Sequence, residues 1–204
     1  MARLGIMGGT FNPPHVGHLL CASEACDQLG LDRVVWMPAH TPPHKEVAAG
    51  APSPAARLEL CRLATQHDPR FEVSDIEIQR GGASYTVETL RQLHAERPGD
   101  ELIFIVGADT ALSLPTWREP KAVCELASLG IAGRQGVLRR DIVERLVGLP
   151  VRLEFFEMPR FDISSSEIRR RLSHGHTIDY LVPGAVADQL RRDGLYRPSE
   201  AITS

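Results

Sequence analysis

Short apolar runs alternate along the chain with segments in which apolar residues recur every three or four positions. A short apolar run is typical of a buried strand, whereas the longer spacing is typical of an amphipathic helix. The run from Leu102 to Val106 is continuously apolar, which favours a parallel strand covered on both faces. The predicted strands are Leu4–Met7, Arg33–Met37, Phe71–Ile78, Glu101–Val106, Ala127–Ala132 and Val151–Glu157.

Capping signals mark the starts of several segments between these runs. Ser53 followed by Pro54 is an N-cap with proline at the first helical position. Ser164 with Glu167 three residues later has the spacing of a capping box. The predicted helices are Leu19–Leu29, one that begins after Ser53, Thr86–Glu96, one that begins after Ser164, and one from Pro183 to Gly194.

The alternation of strands and helices predicts the fold class. It indicates right-handed strand–helix–strand crossovers and a Rossmann-like, doubly wound α/β fold, with a mostly parallel sheet and helices on both faces. Ligands of such folds bind at the carboxyl ends of the strands, where the strand order reverses. The 204 residues predict a single domain, 1–204, with a small helical part from about residue 164.

The net charge, the cysteine spacing and the lengths of the apolar runs argue against several classes of function. The net charge of −3 argues against a general polyanion binder, so we predict no nucleic-acid partner. The four cysteines show no C-x-x-C spacing, and no apolar run reaches membrane-spanning length. Because nothing at the N-terminus looks like a signal peptide, we expect a cytoplasmic protein without a membrane partner. The oligomeric state stays open, a homo-oligomer included.

The segment Gly8–His18, with the sequence GGTFNPPHVGH, carries the most chemical information. It joins the first predicted strand to the first predicted helix. Its glycines let backbone N–H groups approach an anion closely, and the helix start adds unpaired N–H groups and partial positive charge. His15 and His18, three residues apart, can both point at one phosphoryl group. The segment therefore predicts a phosphate site.

This segment resembles the signature of the nucleotidyltransferases related to class I aminoacyl-tRNA synthetases, which ends in His-x-Gly-His. The chain lacks G-x-x-x-x-G-K-[ST], G-x-G-x-x-G and G-x-S-x-G, so a P-loop NTPase is excluded and a standard dehydrogenase or serine hydrolase is disfavoured. A second segment, Ile163–Arg169, crowds serine hydroxyls at a predicted helix start with an arginine one turn later. It resembles the I-S-S-T/S-x-I-R motif of nicotinate and nicotinamide mononucleotide adenylyltransferases.

Three further segments match the pattern of the bacterial nicotinate mononucleotide adenylyltransferases: Pro38–Lys45, Ala83–Leu90, and Gly107–Thr110 with Leu114–Trp117. The resemblance covers roughly residues 3 to 196, and Asn12 stands where many members carry Asp. It implies catalytic roles for His18, His15 and Arg169. The ATP-binding residues that it implies are Gly8, Gly9, Thr10, Phe11, His15, Gly17, His18, Gly107, Asp109, Ser164, Ser165, Ile168 and Arg169. The mononucleotide-binding residues that it implies are Asn12, Lys45, Ser84, Tyr85, Thr86, Trp117 and Arg134.

Several of these residues have a second interpretation. Trp117 is either part of the core or a surface on which a ring stacks. Asp109 is a helix N-cap, an acceptor for a sugar hydroxyl, or both. Lys45 and Arg134 either contact phosphate or stand in solvent.

The resemblance also implies a reaction, AMP transfer from ATP to nicotinate mononucleotide with Mg²⁺ carried by ATP. The sequence shows no acidic cage, so no protein metal ligand is predicted. Phosphopantetheine adenylyltransferases and cytidylyltransferases share the His-x-Gly-His turn. Membership of those families would leave the Pro-Thr-Trp and Pro-Pro-His-Lys segments of this chain without a function. A synthetase fragment and a non-catalytic nucleotide sensor would also contain such a turn, and the sequence disfavours both without excluding them.

Overall fold

Six parallel strands form one sheet in the computed structural model, which describes residues 1–43, 51–134, 136–159 and 162–196. The strand order is β3-β2-β1-β4-β5-β6, and each neighbouring pair is parallel. This order reverses direction between β1 and β4, which is the doubly wound arrangement predicted from the sequence. The strands are β1 (Arg3–Gly9), β2 (Arg33–Pro38), β3 (Phe71–Val73), β4 (Glu101–Gly107), β5 (Ser128–Ala132) and β6 (Leu153–Phe156).

Helices connect the strands and follow the last one, in the part of the chain that the structure describes. A 3₁₀ turn, Leu114–Thr116, lies between α5 and α6. None of these helices is long and apolar enough to cross a membrane. The helices are α1 (Val16–Leu29), α2 (Pro54–Thr65), α3 (Ile76–Arg80), α4 (Thr86–Glu96), α5 (Ala108–Ser113), α6 (Pro120–Leu126), α7 (Arg139–Arg145), α8 (Ser165–Ser173) and α9 (Gly184–Arg192).

Alternation along the strands divides the core into two layers. On β1, Leu4 and Ile6 pack into one apolar cluster and Met7 packs into the other, because successive side chains leave a strand on opposite faces. Helices α4 to α7 contribute to the first cluster, whereas α1 and α2 contribute to the second. Both faces of the sheet are therefore covered, as the continuous apolar run in β4 predicts.

The predicted strand Phe71–Ile78 is wrong in its second half. The ladder with β2 ends at Val73, and the short helix α3 begins at Ile76. Ser74 ends the strand with a bond from its N–H to the carbonyl of Trp36, and Gln79 N–H then donates to the carbonyl of Asp75 in the first helical turn. The few alternating apolar residues fit either element, so the periodicity alone does not distinguish a strand from a short helix here.

A third apolar cluster joins α2 to α8 and α9. Ser164 caps α8 by accepting a hydrogen bond from the Glu167 N–H at 3.2 Å, as predicted. The Glu167 carboxylate, however, pairs with Arg170 and Arg171, so only half of the expected capping box is present. The single domain 1–204 with a helical part from about residue 164 stays a prediction.

Candidate active site at the carboxyl ends of β1 and β4

The turn after β1 is shaped by a close approach of Phe11 to Gly9. Phe11 adopts a left-handed φ of 48°, and its ring stacks on Trp36 with centroids 5.1 Å apart. A Cβ at Gly9 would lie 3.1 Å from the Phe11 ring, a spacing that would force the ring to move. Gly9 is therefore needed for the tight turn, and stacking on Trp36 offsets the cost of the unusual backbone at Phe11.

Two histidines stand at the start of α1. His15 is the N-cap residue, and His18 lies in the first turn of the helix. The His15 N–H donates to Nδ1 of His18 at 3.2 Å, which assigns the proton of a neutral His18 ring to Nε2. The two rings stack with centroids 3.7 Å apart. His18 lines a cavity beside the turn, so its Nε2–H is the group with which this helix start can address an anion there.

His15 is buried, whereas His18 is only partly buried. Only 7% of His15 is exposed, and burial lowers its pKa from 6.5 to about 4. Its Nδ1 has no hydrogen-bond partner in the described part of the chain. His15 is therefore neutral at pH 7, which keeps the stacked pair free of like-charge repulsion.

The structure brings the second serine-rich segment directly against the first turn. Ser165 Oγ donates to the carbonyl of Pro13 at 2.8 Å, and the Arg169 guanidinium donates to the carbonyl of Asn12 at 2.8 Å. These contacts join residues 152 and 157 positions apart in the sequence. The two motifs thus form one site, with the start of α8 facing the Gly8–His18 turn.

A cavity of about 340 Å³ opens between the ends of β1 and β4. A second cavity of about 350 Å³ shares part of its wall, so the two form one cleft at the point where the strand order reverses. Predicted site residues that line the cleft are Gly8, Gly9, Thr10, His18, Ser84, Tyr85, Thr86, Gly107 and Trp117.

Trp117 packs against the core and also borders the cleft, so the stacking of a ligand ring on it stays a prediction. It packs edge-to-face on Phe104 with centroids 5.8 Å apart, and its indole N–H donates to Ser113 Oγ at 3.0 Å. It also lines both parts of the cleft. Opposite this ring, Ser84 Oγ accepts from the His40 N–H at 2.9 Å, which ties the start of α4 to the segment after β2.

Other predicted residues lie near the cleft without lining it. Asp109 and Arg134 form an ion pair with each other, and both are exposed. The Ile168 side chain is fully buried in the third apolar cluster, and the Asn12 side chain accepts a bond from the Tyr196 hydroxyl. Gly17 lies in the first turn of α1, and Ser164 caps α8. Lys45 lies outside the described residues.

The sequence interpretation missed three polar residues at the site. Glu77 and Thr89 line the cleft and are bonded to each other at 2.6 Å, but Glu77 fell inside the incorrectly predicted strand. Arg57 is fully buried and donates to the backbone carbonyls of Thr10, in the turn after β1, and of His40, in the segment after β2. The signal for Arg57 was its position four residues before Cys61, on the apolar face of α2.

The described residues contain no group of three or more histidine, cysteine, aspartate or glutamate side chains that could hold a metal ion. Asp109, which directly follows β4 in α5, is paired with Arg134. Mg²⁺ therefore stays a prediction, as an ion brought by the nucleotide.

Comparison with known proteins agrees with this geometry. The cytidylyltransferase-like family model matches residues 6–171. A probable nicotinate-nucleotide adenylyltransferase of Thermomicrobium roseum is 43% identical, over 99% of this chain and 95% of the relative. A protein of the same description from Thermus thermophilus is 45% identical, over 96% of this chain and 100% of the relative.

A solved structure supports the fold. The nicotinic acid mononucleotide adenylyltransferase of Plasmodium falciparum, complexed with NaAD, has a TM-score of 0.79 at 16% identity, covering 96% of this chain and 98% of that one. At that identity the likeness concerns the fold alone. With the two site motifs in contact and relatives above 40% identity over nearly its whole length, the chain belongs to the cytidylyltransferase-like family and, within it, to the nicotinate-nucleotide adenylyltransferases.

Proposed function

We propose that this chain transfers AMP from ATP to nicotinate mononucleotide, releasing pyrophosphate and forming nicotinate adenine dinucleotide, as a step of NAD biosynthesis in the cytoplasm. The observation that carries the proposal is the direct contact between the Gly8–His18 turn and the Ser164–Arg169 helix start. Both motifs imply phosphate binding, and they meet beside a cleft whose far wall holds Ser84, Tyr85 and Thr86.

The chemistry is an in-line displacement at the α-phosphorus of ATP. A phosphate oxygen of the mononucleotide forms the new P–O bond, and the bond to the bridging oxygen of the leaving pyrophosphate breaks. The attacking phosphate is already anionic near pH 7, so no general base is required. Catalysis then consists of positioning and charge stabilisation. His18 Nε2–H would donate to the α-phosphate as negative charge builds there.

The other end of the triphosphate would lie against α8. Arg169 and the hydroxyls of Ser164, Ser165 and Ser166 stand at the start of this helix, where unpaired N–H groups add partial positive charge. Mg²⁺ belongs to the substrate, as MgATP, and neutralises charge on the phosphates.

The pyridine ring would lie at the start of α4. Backbone N–H groups of the first helical turn, beginning at Thr86, suit a carboxylate better than an amide, since the helix start favours negative charge. Trp117 presents an aromatic wall on the same part of the cleft. This arrangement supports nicotinate mononucleotide as the acceptor.

The test is pyrophosphate release from MgATP, measured in parallel with nicotinate mononucleotide and nicotinamide mononucleotide. We expect strong release with the nicotinate compound and weak release with the amide. Equal release would keep adenylyl transfer but remove the role given to the start of α4. Release with neither, in spite of ATP binding, would overturn the proposal and favour a nucleotide sensor.

A further inference from the structure

One buried arginine bridges the two loops at the carboxyl edge of the sheet. Arg57, on α2, is 1% exposed. One of its terminal nitrogens donates to the carbonyl of Thr10 at 2.8 Å, in the turn after β1. The other donates to the carbonyl of His40 at 2.9 Å, in the segment after β2. A single side chain thus fixes the relative position of two segments that reach the cleft.

No carboxylate in the described ranges forms an ion pair with this guanidinium, and its Nε has no hydrogen-bond partner there. Burial lowers the pKa of Arg57, because the charged form has lost its water. Burying a charge without a counter-charge is costly, even when two carbonyls solvate it. A positive charge that no carboxylate of the described residues neutralises is therefore buried against the turn at Thr10, a residue that lines the cleft.

The hydrogen bond from Arg57 to the Thr10 carbonyl also constrains the direction of the next N–H group in the turn. The carbonyl of Gly9 accepts from the Ala39 N–H at 2.9 Å, and that of Thr10 accepts from Arg57. In a trans peptide the N–H points opposite to the carbonyl, so the N–H groups of Thr10 and Phe11 point away from these partners. Neither has an acceptor among the residues that the structure describes.

Successive N–H groups beside a residue in the left-handed region form a concave anion site. Phe11 is that residue, and Thr10 and His18 both line the cleft at this point. The anion site therefore depends on a backbone conformation that the Phe11–Trp36 stack and the Arg57 bonds hold together.

We propose that Arg57 is a positioning residue for phosphate binding. It holds the Thr10 and His40 carbonyls so that the N–H groups of the turn face the cleft, and its charge is balanced when the phosphates of the nucleotide bind. The inference rests on the proposed function, because that function places phosphates at this turn. Arg57 acts through the backbone and does not itself contact the reacting atoms.

A purely structural role would give a different result from this one. If Arg57 only filled space and satisfied two carbonyls, replacing it would lower stability while each folded molecule kept its affinity for phosphate. A positioning role requires that affinity for a phosphate anion falls in molecules that are still folded. Inorganic pyrophosphate is a suitable probe, since it needs neither adenine nor pyridine contacts.

The experiment compares Arg57→Met, Arg57→Lys and Arg3→Met with the wild-type chain. Arg3→Met is the matched control, because Arg3 is a partly buried arginine at the opposite edge of the sheet, paired with Glu101 and Glu154. Circular dichroism verifies folding, and calorimetry gives the dissociation constant for pyrophosphate. We expect Arg57→Met to weaken binding about tenfold or more, Arg57→Lys to restore part of the loss, and Arg3→Met to bind normally.

Turnover separates this inference from the proposed function. If the wild-type chain binds pyrophosphate, Arg57→Met weakens binding and no mononucleotide is adenylylated, the positioning role stands and the function fails. If the wild-type chain transfers AMP and a folded Arg57→Met binds pyrophosphate and turns over equally well, the positioning role is overturned and the function stands. Should Arg57→Met not fold, Arg57→Lys decides, since normal affinity in that variant would also overturn the role.

Discussion

The arginines at the two edges of the sheet have different hydrogen-bond partners. At the amino edge, Arg3 bonds to the carboxylates of Glu101 and Glu154 at 2.9 Å each and also donates to the carbonyl of Leu29. At the carboxyl edge, Arg57 bonds only to carbonyls in the described structure, and the buried Nδ1 of His15 has no partner there. Two carboxylates of the protein thus neutralise Arg3, whereas Arg57 has no carboxylate partner among the described residues.

The difference follows from the direction of parallel strands. At the carboxyl edge, strands end where helices start, so N–H groups and partial positive charge converge there. A group that binds phosphate must keep part of its hydrogen-bonding capacity for the ligand, and leaving that capacity unused in the free protein has some cost in stability. Arg3 lies at the amino edge, away from the cleft, so we expect it to contribute to stability and not to ligand binding.

The largest effect that this comparison predicts is on turnover at the carboxyl edge. Replacing His18 with alanine removes the donor to the α-phosphate, and we expect kcat to fall about 100-fold or more. Initial rates of pyrophosphate release measure it, with the exposed His94→Ala on α4 as the matched control. Near-normal turnover in folded His18→Ala would show that this histidine does not act in the transition state.

A second effect concerns the contact between the two motifs. Arg169→Met loses charge-assisted bonds to the turn and to the phosphates, so we expect kcat/KM for MgATP to fall about 30-fold. Arg170→Met is the control, since the neighbouring Arg170 pairs with Glu167 on the exposed face of α8. Equal kinetics for the two variants would place Arg169 outside the triphosphate site.

The buried His15 should make the carboxyl edge sensitive to acid. Because folding lowers its pKa from 6.5 to about 4, the unfolded chain takes up a proton first as pH falls. Above pH 6.5 this difference in pKa does not change stability. As the pH falls from 6.5 towards 4, the free energy of unfolding decreases, by about 2 kcal/mol at pH 5. Urea denaturation at pH 7 and pH 5 should show this extra loss in the wild-type chain and not in His15→Gln. Identical losses would mean that the ring is protonated in the folded state.

The smallest effect belongs to the amino edge. Arg3 is about one-third exposed, so solvent screens its ion pairs, and we expect Arg3→Met to lower the free energy of unfolding by about 1 kcal/mol. The same variant should keep wild-type kcat and KM, because the cleft lies at the other end of the strands. A loss of activity without a loss of stability would contradict the division between the two edges.

Local patterns were enough to predict most elements of the fold. The continuous apolar run of β4, the Ser53-Pro54 start of α2 and the periodicity of α4 all correspond to observed elements. After Val73, the spacing of apolar residues was not enough to predict the element, because three or four alternating residues suit a strand and a short helix equally well. A pattern of that length carries too little information to distinguish the two elements.

The candidate site was partly visible in the same way. The Gly8–His18 turn indicates phosphate chemistry through its own residues, and the structure places His18 on the wall of the cleft. Asp109 and Arg134 each had two interpretations from the sequence; the structure pairs them with each other, and their part in ligand binding stays a prediction. Whether two distant residues meet a ligand or one another depends on how strands and helices are arranged, which local spacing does not contain.

By itself, the amino-acid sequence determined the alternation of strands and helices, the tight glycine turn with its two histidines and the serine-rich start of α8, because each depends on interactions between near neighbours in the chain. Only the tertiary structure decided that α8 docks on the turn, that Glu77 and Thr89 meet in the cleft, and that Arg57 is buried between two loops. These contacts join residues that are far apart in the sequence, so the strand order and the packing of helices on the sheet determine which groups become partners. Burial then determines the free-energy cost of a charge that has no partner.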